Sequence, residues 1–403
     1  MTDRQLDVVY CEGWAPETRA VVGRMSVGDA RARHERGEQY AVALTGGSGQ
    51  PRALLEVAMA HRFARSWHFD EHDRRVRQFD YRVLTDGQVF LLEENQWDYT
   101  ALEQHDVDER ALSRECRYQL DGGVHETVHQ RIPGRRRSSR VTIGRFSVPA
   151  EELRQPVPEF GDWLPLARLG EAWDGLRATA DPDVAEPARA PWHPPVPMRP
   201  FALDEMFTPG TRFVLPNEMG TVVAETQAAG MLRLTSGRLV AADPYQLSAG
   251  PAPFATTVAP GTYPVELAKV RHDSIATVAA ARVTISPEPV VSWQLALRPG
   301  QDPTLLGDGE FYGFGVDTGL ACLVDADALP AFEARLADGD DPFEELVDDL
   351  IETPEPRSGT NVIAFHSGWG DGAYPTWQGH AEDGAVVAFV VDLTIVQGGE
   401  ILP

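Results

Sequence analysis

Apolar and polar residues alternate through much of the first third of the chain. The stretch ALLEVAMAHRFARSWHFDEHDRRVRQFDYRVLTDGQVFLLEENQWDY (53–99) repeats with the period of two that half-buried strands require. It predicts strands near 53–59, 61–69, 75–84 and 88–95, with turns at 71–74 and 85–87. Asp86-Gly87 is a hairpin signal, because glycine accepts the positive φ of tight hairpin turns. RYQLDGGVHETVHQRI (117–132) predicts another hairpin, turning at Asp121-Gly122-Gly123, and RVTIGRFSV (140–148) a further strand. Ahead of them, ETRAVVGRMSVGDARARHER (17–36) has helical spacing at Val21, Val22, Met25, Val27 and Ala30, with a weak point near Gly28. The first part therefore reads as a β-meander with one helix on it.

Eleven prolines between Pro149 and Pro200 interrupt this pattern. Proline cannot donate to a ladder, so this segment reads as a linker or an extended wrapping strap. A short helix at EAWDGLRATA (171–180) is the exception. Strand patterns resume after Phe201, in GMLRLTSGRLVAAD (230–243), GTYPVELAKV (261–270), TVAAARVTIS (277–286), VVSWQLAL (290–297), GFGVDTGLACLVD (313–325), TNVIAFHSG (360–368) and AVVAFVVDLTIV (385–396). Glycine and proline turns separate nearly all of them. One helix is expected over DADALPAFEARLADG (325–339), capped by Asp325 or Asp327, and it continues through the acidic DPFEELVDDLIET (341–353). The fold class is mainly β (α+β): two β-rich domains with antiparallel sandwich or barrel-like sheets and a few short helices. The expected divisions are 1–148, the proline-rich 149–204, and 205–403.

Charge and cysteine content narrow the class. The net charge is -25, yet residues 1–150 hold 23 acids against 22 arginines. The excess lies almost wholly in the remainder, and an acidic surface of that size repels nucleic acid and anionic lipid. Lys269 is the only lysine. The three cysteines, Cys11, Cys116 and Cys322, are widely spaced and form no CxxC pair, which fits a reducing compartment. No apolar run is long enough for a membrane helix, and the first residues lack a signal-peptide pattern. A cytoplasmic location is expected.

Five phrases recur in a recognisable order: SGRLVAADP (236–244), PGTYPVEL (260–267), VAAARV (278–283), GFGVDTGLACLVDADAL (313–329) and SGWGDGAYPTWQG (367–379). Together they resemble the bacterial domain-of-unknown-function family 4241, over roughly residues 225–397. The resemblance implies a bacterial protein with a mostly β domain and implies no reaction.

The richest segment chemically is HSGWGDGAYPTWQG (366–379). It reads as a glycine-rich turn in which Asp371 accepts its own turn's N–H groups, or as a pocket lip where Asp371, His366 and Tyr374 meet a ligand. Trp369, Tyr374, Trp377 and Asp243 are the candidate binding residues. VDTG (316–319) matches the Asp-Thr-Gly of aspartic proteases, but no second copy supplies the partner carboxylate, so Asp317 reads first as a turn residue. Asp243, Asp317, Asp325, Asp327, Asp371 and His366 carry metal-ligand chemistry without a ligand spacing. Asp325-Ala-Asp327 lacks the glycine and terminal glutamate of a calcium loop. His68/His72 and His125/His129 have helical spacing in segments read as strands and turns. There is no Walker loop, dinucleotide fingerprint or nucleophile elbow, and Ser367 beside His366 points to the opposite face of a strand. Neither metal nor cofactor is expected. The basic run Arg135-Arg136-Arg137, with Arg140, reads first as a solvated hairpin tip and second as a contact for RNA or an acidic partner, the one hint of nucleic acid in the chain.

Two functions follow. The first is a protein-binding module, concretely an immunity or accessory partner of a toxin, whose acidic second part meets a basic protein. The second is a hydrolase with catalytic candidates Asp317, Asp371 and His366.

Overall fold

Alternation in the first part produces a single large sheet. The computed structural model describes residues 4–47, 49–131, 139–182, 187–216, 220–343 and 346–403. The chain divides into two units, residues 1–196 and 197–403. In the first, the meander runs β1 (Gln5–Cys11), β2 (Gly13–Ala15), β3 (Ala20–Val22), α1 (Val27–Arg36), β4 (Tyr40–Thr45), β5 (Pro51–Ala58), β6 (Phe63–Phe69), β7 (Arg75–Val83), β8 (Gln88–Asp98), β9 (Leu112–Tyr118), β10 (Gly123–Arg131) and β11 (Ser139–Ser147). Neighbours from β4 to β11 pair antiparallel in chain order, and β1 lies against β4.

Two helix expectations in this unit are corrected. Residues 20–22 pair with β2 as a hairpin, and α1 begins only at Val27. Ser26 is extended and accepts a hydrogen bond from the Asp29 backbone N–H, which fixes the helix start there. The helix expected at 171–180 is instead a strand, β13 (Gly175–Ala178), lying parallel to the open edge of β1. Residues 149–196 belong to the first unit. Within them, β12 (Arg154–Pro156) pairs with β8, and α2 (Leu164–Ala167) receives the Tyr81 hydroxyl on the Leu166 carbonyl at 2.9 Å. Phe160 stacks on Tyr10 at 5.3 Å, and the Trp192 indole donates to the Glu12 carbonyl at 2.8 Å. Prolines limit this strap to the short ladders of β12 and β13 without excluding the rest of it from packing.

The second unit is a sandwich. Its larger sheet is ordered β19 (Ser292–Leu295), β24 (Gly372–His380), β25 (Val386–Asp392), β18 (Ile275–Thr284), β17 (Gly261–His272), β15 (Thr221–Leu234), β14 (Arg212–Val214) and β26 (Glu400–Leu402), with β20 (Gly313–Val316) also on β24. The smaller sheet is ordered β16 (Leu239–Ala242), β21 (Leu320–Asp325), β23 (Thr360–His366) and β22 (Leu350–Glu355). Three of its strands, β16, β21 and β23, are apolar on both faces. Leu239, Ala241, Ala321, Leu323, Ile363 and Phe365 enter the core shared with the large sheet. Val240, Ala242, Cys322, Val324, Val362 and Ala364 pack beneath Phe332 of α3 (Leu329–Ala337) and Phe343. A sheet covered on both sides reads as continuous apolar runs, and LVAA, LACLV and NVIAF are such runs.

The acidic continuation of α3 is also corrected. The helix stops at Ala337, Asp348 and Asp349 take left-handed backbone angles, and Leu350–Glu355 becomes β22. The otherwise open edge of β23 offers that segment a ladder. The long strand expected at 385–396 ends at Asp392, where Thr394 turns left-handed.

Gly237, ahead of β16, has φ +71°, and a Cβ there would lie 2.0 Å from the Val258 carbonyl oxygen. Gly237→Ala is therefore expected to lower unfolding free energy by roughly 2 kcal/mol or more. Denaturant melts measure this, and an unchanged midpoint would contradict the close approach.

Candidate functional site

The strands place the glycine-rich segment HSGWGDGAYPTWQG (366–379) at the junction of β23 and β24. Its turn is closed by Ser367 and Tyr374. The Ser367 hydroxyl donates to the Gly370 carbonyl at 2.8 Å, and the Tyr374 hydroxyl reaches the carbonyls of Ser367 and Gly370 at 2.9 and 2.7 Å. Burial pushes the Tyr374 phenol pKa up, and Asp371 adds to that. Tyr374 is thus a buried strut. Trp377 is also buried, and its indole donates to Asp392 at 3.4 Å. Asp392 is sealed in the core, and burial lifts its carboxyl to about 6. Trp369 is 53% exposed, and Asp371 and His366 are exposed as well.

The VDTG turn abuts this motif. Val316 lies opposite Gly372, so Asp317 and Asp371 are the next residues outward on facing strands. The Ser367 N–H donates to the Gly319 carbonyl at 3.0 Å. Both carboxylates look outward, and Asp317 accepts from the Gln246 side-chain amide. His366 ends β23 opposite Leu320, its backbone N–H on the Asp349 carbonyl at 3.1 Å. Asp317, Asp371 and His366 therefore share one rim.

The carboxylate that organises this rim is Asp243. It is 1% exposed and accepts four hydrogen bonds: Asp317 N–H (2.9 Å), Thr318 N–H (3.1 Å), Thr318 hydroxyl (2.9 Å) and Tyr245 N–H (2.9 Å). At the other end of the same strand pair, buried Asp325 accepts from Ser236 N–H (2.9 Å), Ser236 hydroxyl (2.7 Å) and Asp327 N–H (2.8 Å). Asp327 pairs with Arg238 at the surface. Four and three donors leave these carboxylates little capacity for a ligand. Lys269, the sole lysine, donates to Asp349 at 2.8 Å and is likewise absorbed by the fold.

The first unit holds a site that the sequence reading missed. One row of facing residues crosses five strands: Glu56, Arg65, Asp80, Glu93 and Arg117. Arg65 forks onto Asp80 at 2.6 and 2.8 Å, and Gln78 donates to the same carboxylate at 2.7 Å. Burial pushes the Glu56 carboxyl up to about 7, and burial followed by Asp80 raises Glu93. Trp67 and Trp97 stack beside the row at 6.1 Å. Perturbed carboxyls in a cluster can mark chemistry. Here Glu56 and Asp80 are buried, the other three are half-buried and Asp80 is saturated, so the row acts as a cross-strand ion ladder. The available signal was a charge inside an apolar strand, as in ALLEVA and QFDYRV.

An open groove of about 500 Å³ lies beside the turn after β6, lined by His72, Thr100 and Leu102 among others. Its floor is Arg74, held by Asp70 at 2.9 Å and by the carbonyls of Ala101 and Gln104. His68 is spent on the Ala167 carbonyl, and His125 meets Gln119. Among the described residues, no three His, Cys, Asp or Glu side chains gather in a metal-holding group. None of the described helices is long and apolar enough to cross a membrane. Arg135, Arg136 and Arg137 fall outside the described residues, while Arg140 is exposed on β11.

Residues 232–391 match the model of a family described as a protein of unknown function (DUF4241). The match begins in β15, ends in β25 and contains Asp243 and Asp325. Neither a curated protein nor a solved structure matches the chain.

Asp243→Ala is expected to cost roughly 3 kcal/mol or more, since it strands three backbone or hydroxyl donors of a tight turn. Asp371→Asn should stay within about 0.5 kcal/mol, as exposed positions do. Equal effects in denaturant melts would refute this ranking. For Glu56 the folded carboxyl titrates above its ordinary value. Its stabilisation is full at low pH and is lost as pH rises from about 4.5 through about 7. Glu56→Gln should therefore raise the melting temperature at pH 8 relative to wild type and change it little at pH 5. A pH-independent difference would count against a buried, titrating Glu56.

Proposed function

We propose that this chain is a protein-binding module that takes up an extended segment of a partner along β11. The observation that carries the reading is the free edge of that strand. β11 is nine residues long, pairs among the described residues only with β10, and leaves Val141 50%, Ile143 72% and Phe146 44% exposed. A long, exposed, partly apolar edge offers unpaired N–H and C=O groups to an added strand, and alternate side chains give selectivity.

The partner suited to this chain is a basic protein. The second unit, residues 197–403, carries 29 acids against 10 basic residues, a field that steers cations and repels nucleic acid. A toxin with a basic surface, for which this chain is the immunity or accessory protein, is the concrete form. A hydrolase stands second. It is favoured by the adjacency of Asp317 and Asp371, and opposed by their exposure and by the claim of Gln246 on Asp317.

The test replaces Val141 and Ile143 together by lysine. Both side chains are already exposed, so the melting temperature should hold. A partner that the wild-type chain retains from its source cells should be lost by the variant. If the same partner binds both forms with equal affinity, or no basic protein is retained, the reading fails.

A further inference from the structure

The ladder fixes which backbone groups of β11 point away from the sheet. The Gln119 N–H donates to the Gly123 carbonyl at 2.7 Å, so the odd-numbered residues of β10 spend their N–H and C=O groups on β9. The Val148 N–H donates to the Gly122 carbonyl at 2.9 Å, so the even-numbered residues of β10 and β11 spend theirs on each other. The register runs without a shift from Gly123 opposite Ser147 to Arg131 opposite Ser139, which carries this alternation through the whole strand. The outward N–H and C=O groups of β11 therefore belong to Ser139, Val141, Ile143, Arg145 and Ser147.

This outward set is centred on Ile143. When a strand pairs antiparallel with its own two-fold copy, outward residues must face outward residues. With Ile143 on the axis, all nine residues of β11 find a partner in the copy. Moving the axis one residue either way leaves one end of the strand unpaired. In the centred register Ile143 meets Ile143 of the copy, Val141 meets Arg145, and Arg140 meets Phe146. Arginine never faces arginine, and Arg140 comes within reach of an aromatic ring. Ile143 is 72% exposed in the single chain, so the axis falls on the apolar side chain of β11 with the most surface to bury. The devices that blunt an exposed edge are also missing: β11 has no proline, no lysine and no bulge against β10.

We infer that β11 pairs antiparallel with β11 of a second copy of this chain, about a two-fold axis at Ile143. The inference rests on the reading of β11 as an open edge, made under the proposed function, and adds a control to it. The segment of another protein gains the edge only by displacing the second copy. Its uptake therefore weakens as the concentration of this chain rises.

Sedimentation equilibrium of the purified full chain measures the association. Wild type should pass from monomer to dimer mass as its concentration rises. Glutamate at two positions on the same face separates this register from a general effect of charge. Val141→Glu sets a carboxylate opposite Arg145 of the copy, twice per dimer, and should associate roughly fivefold more tightly than Val141→Gln. Ile143→Glu sets two carboxylates against each other on the axis and should associate roughly threefold more weakly than Ile143→Gln. All four variants alter exposed side chains, so in dilute solution they should melt as wild type does. A chain that stays monomeric at every concentration overturns the inference and leaves the uptake of a partner's segment standing. Both glutamates moving the association in the same direction, each against its glutamine control, also overturns it. A dimer that responds as described but retains no basic protein from the source cells upholds the inference and refutes the proposed function instead.

Discussion

Two buried aspartates hold the second unit in register. Asp243 ends β16 and grips the turn that opens β21, and Asp325 ends β21 and grips the turn that opens β16. The two turns share a pattern: Ser236-Gly237 with Asp243 seven residues on, and Thr318-Gly319 with Asp325 seven residues on. Both glycines have nearly the same left-handed angle, φ +71° and +72°. The antiparallel pair is therefore clamped at both ends by the same device. The need is physical. A strand buried on both faces gains little register information from hydrophobic alternation, because a one-residue slip exchanges one apolar side chain for another. A carboxylate is costly to bury and is tolerated only where its donors fall in place, so each clamp accepts one register.

The clamps explain why the chemistry-bearing residues of this unit are poorly placed for chemistry. The Asp-Thr-Gly turn is rigid because its N–H groups are spent on Asp243, and its own carboxylate is left on the surface. The glycine-rich turn beside it is closed by Ser367 and Tyr374, leaving Asp371 and His366 outside. The first unit handles charge differently. Its Glu56–Arg117 row sets acids and arginines on neighbouring strands, and Trp67 and Trp97 stack beside it. In both units the perturbed or buried acids serve the fold.

Most strands were legible in the sequence because their faces differ in burial or their turns carry glycine and proline. The β5–β8 meander follows from alternation and from Asp86-Gly87. The family resemblance over residues 225–397 rests on the phrases that contain the clamps. Three segments were not legible. Residues 17–22 have helical spacing but are claimed by β2, residues 171–180 by the open edge of β1, and residues 350–355 by the edge of β23. In each case a partner strand overrides local preference: for residues 17–22 and 350–355 the neighbouring strand of a hairpin, for residues 171–180 the distant β1. The role of Asp243 was hidden for a related reason. A strand-ending aspartate before proline looks like a simple cap, and its remaining donors arrive from residues 317 and 318.

Native-state hydrogen exchange of the Asp317, Thr318 and Ser236 amides tests this account most directly. These amides belong to surface turns, yet each donates to a buried carboxylate. The account predicts that they exchange as slowly as the core amides of β16 and β21, opening only when the unit unfolds. Exchange at the rate of exposed loop amides would show that the clamps do not hold, and would return the Asp317–Asp371 rim to consideration as a mobile, functional site.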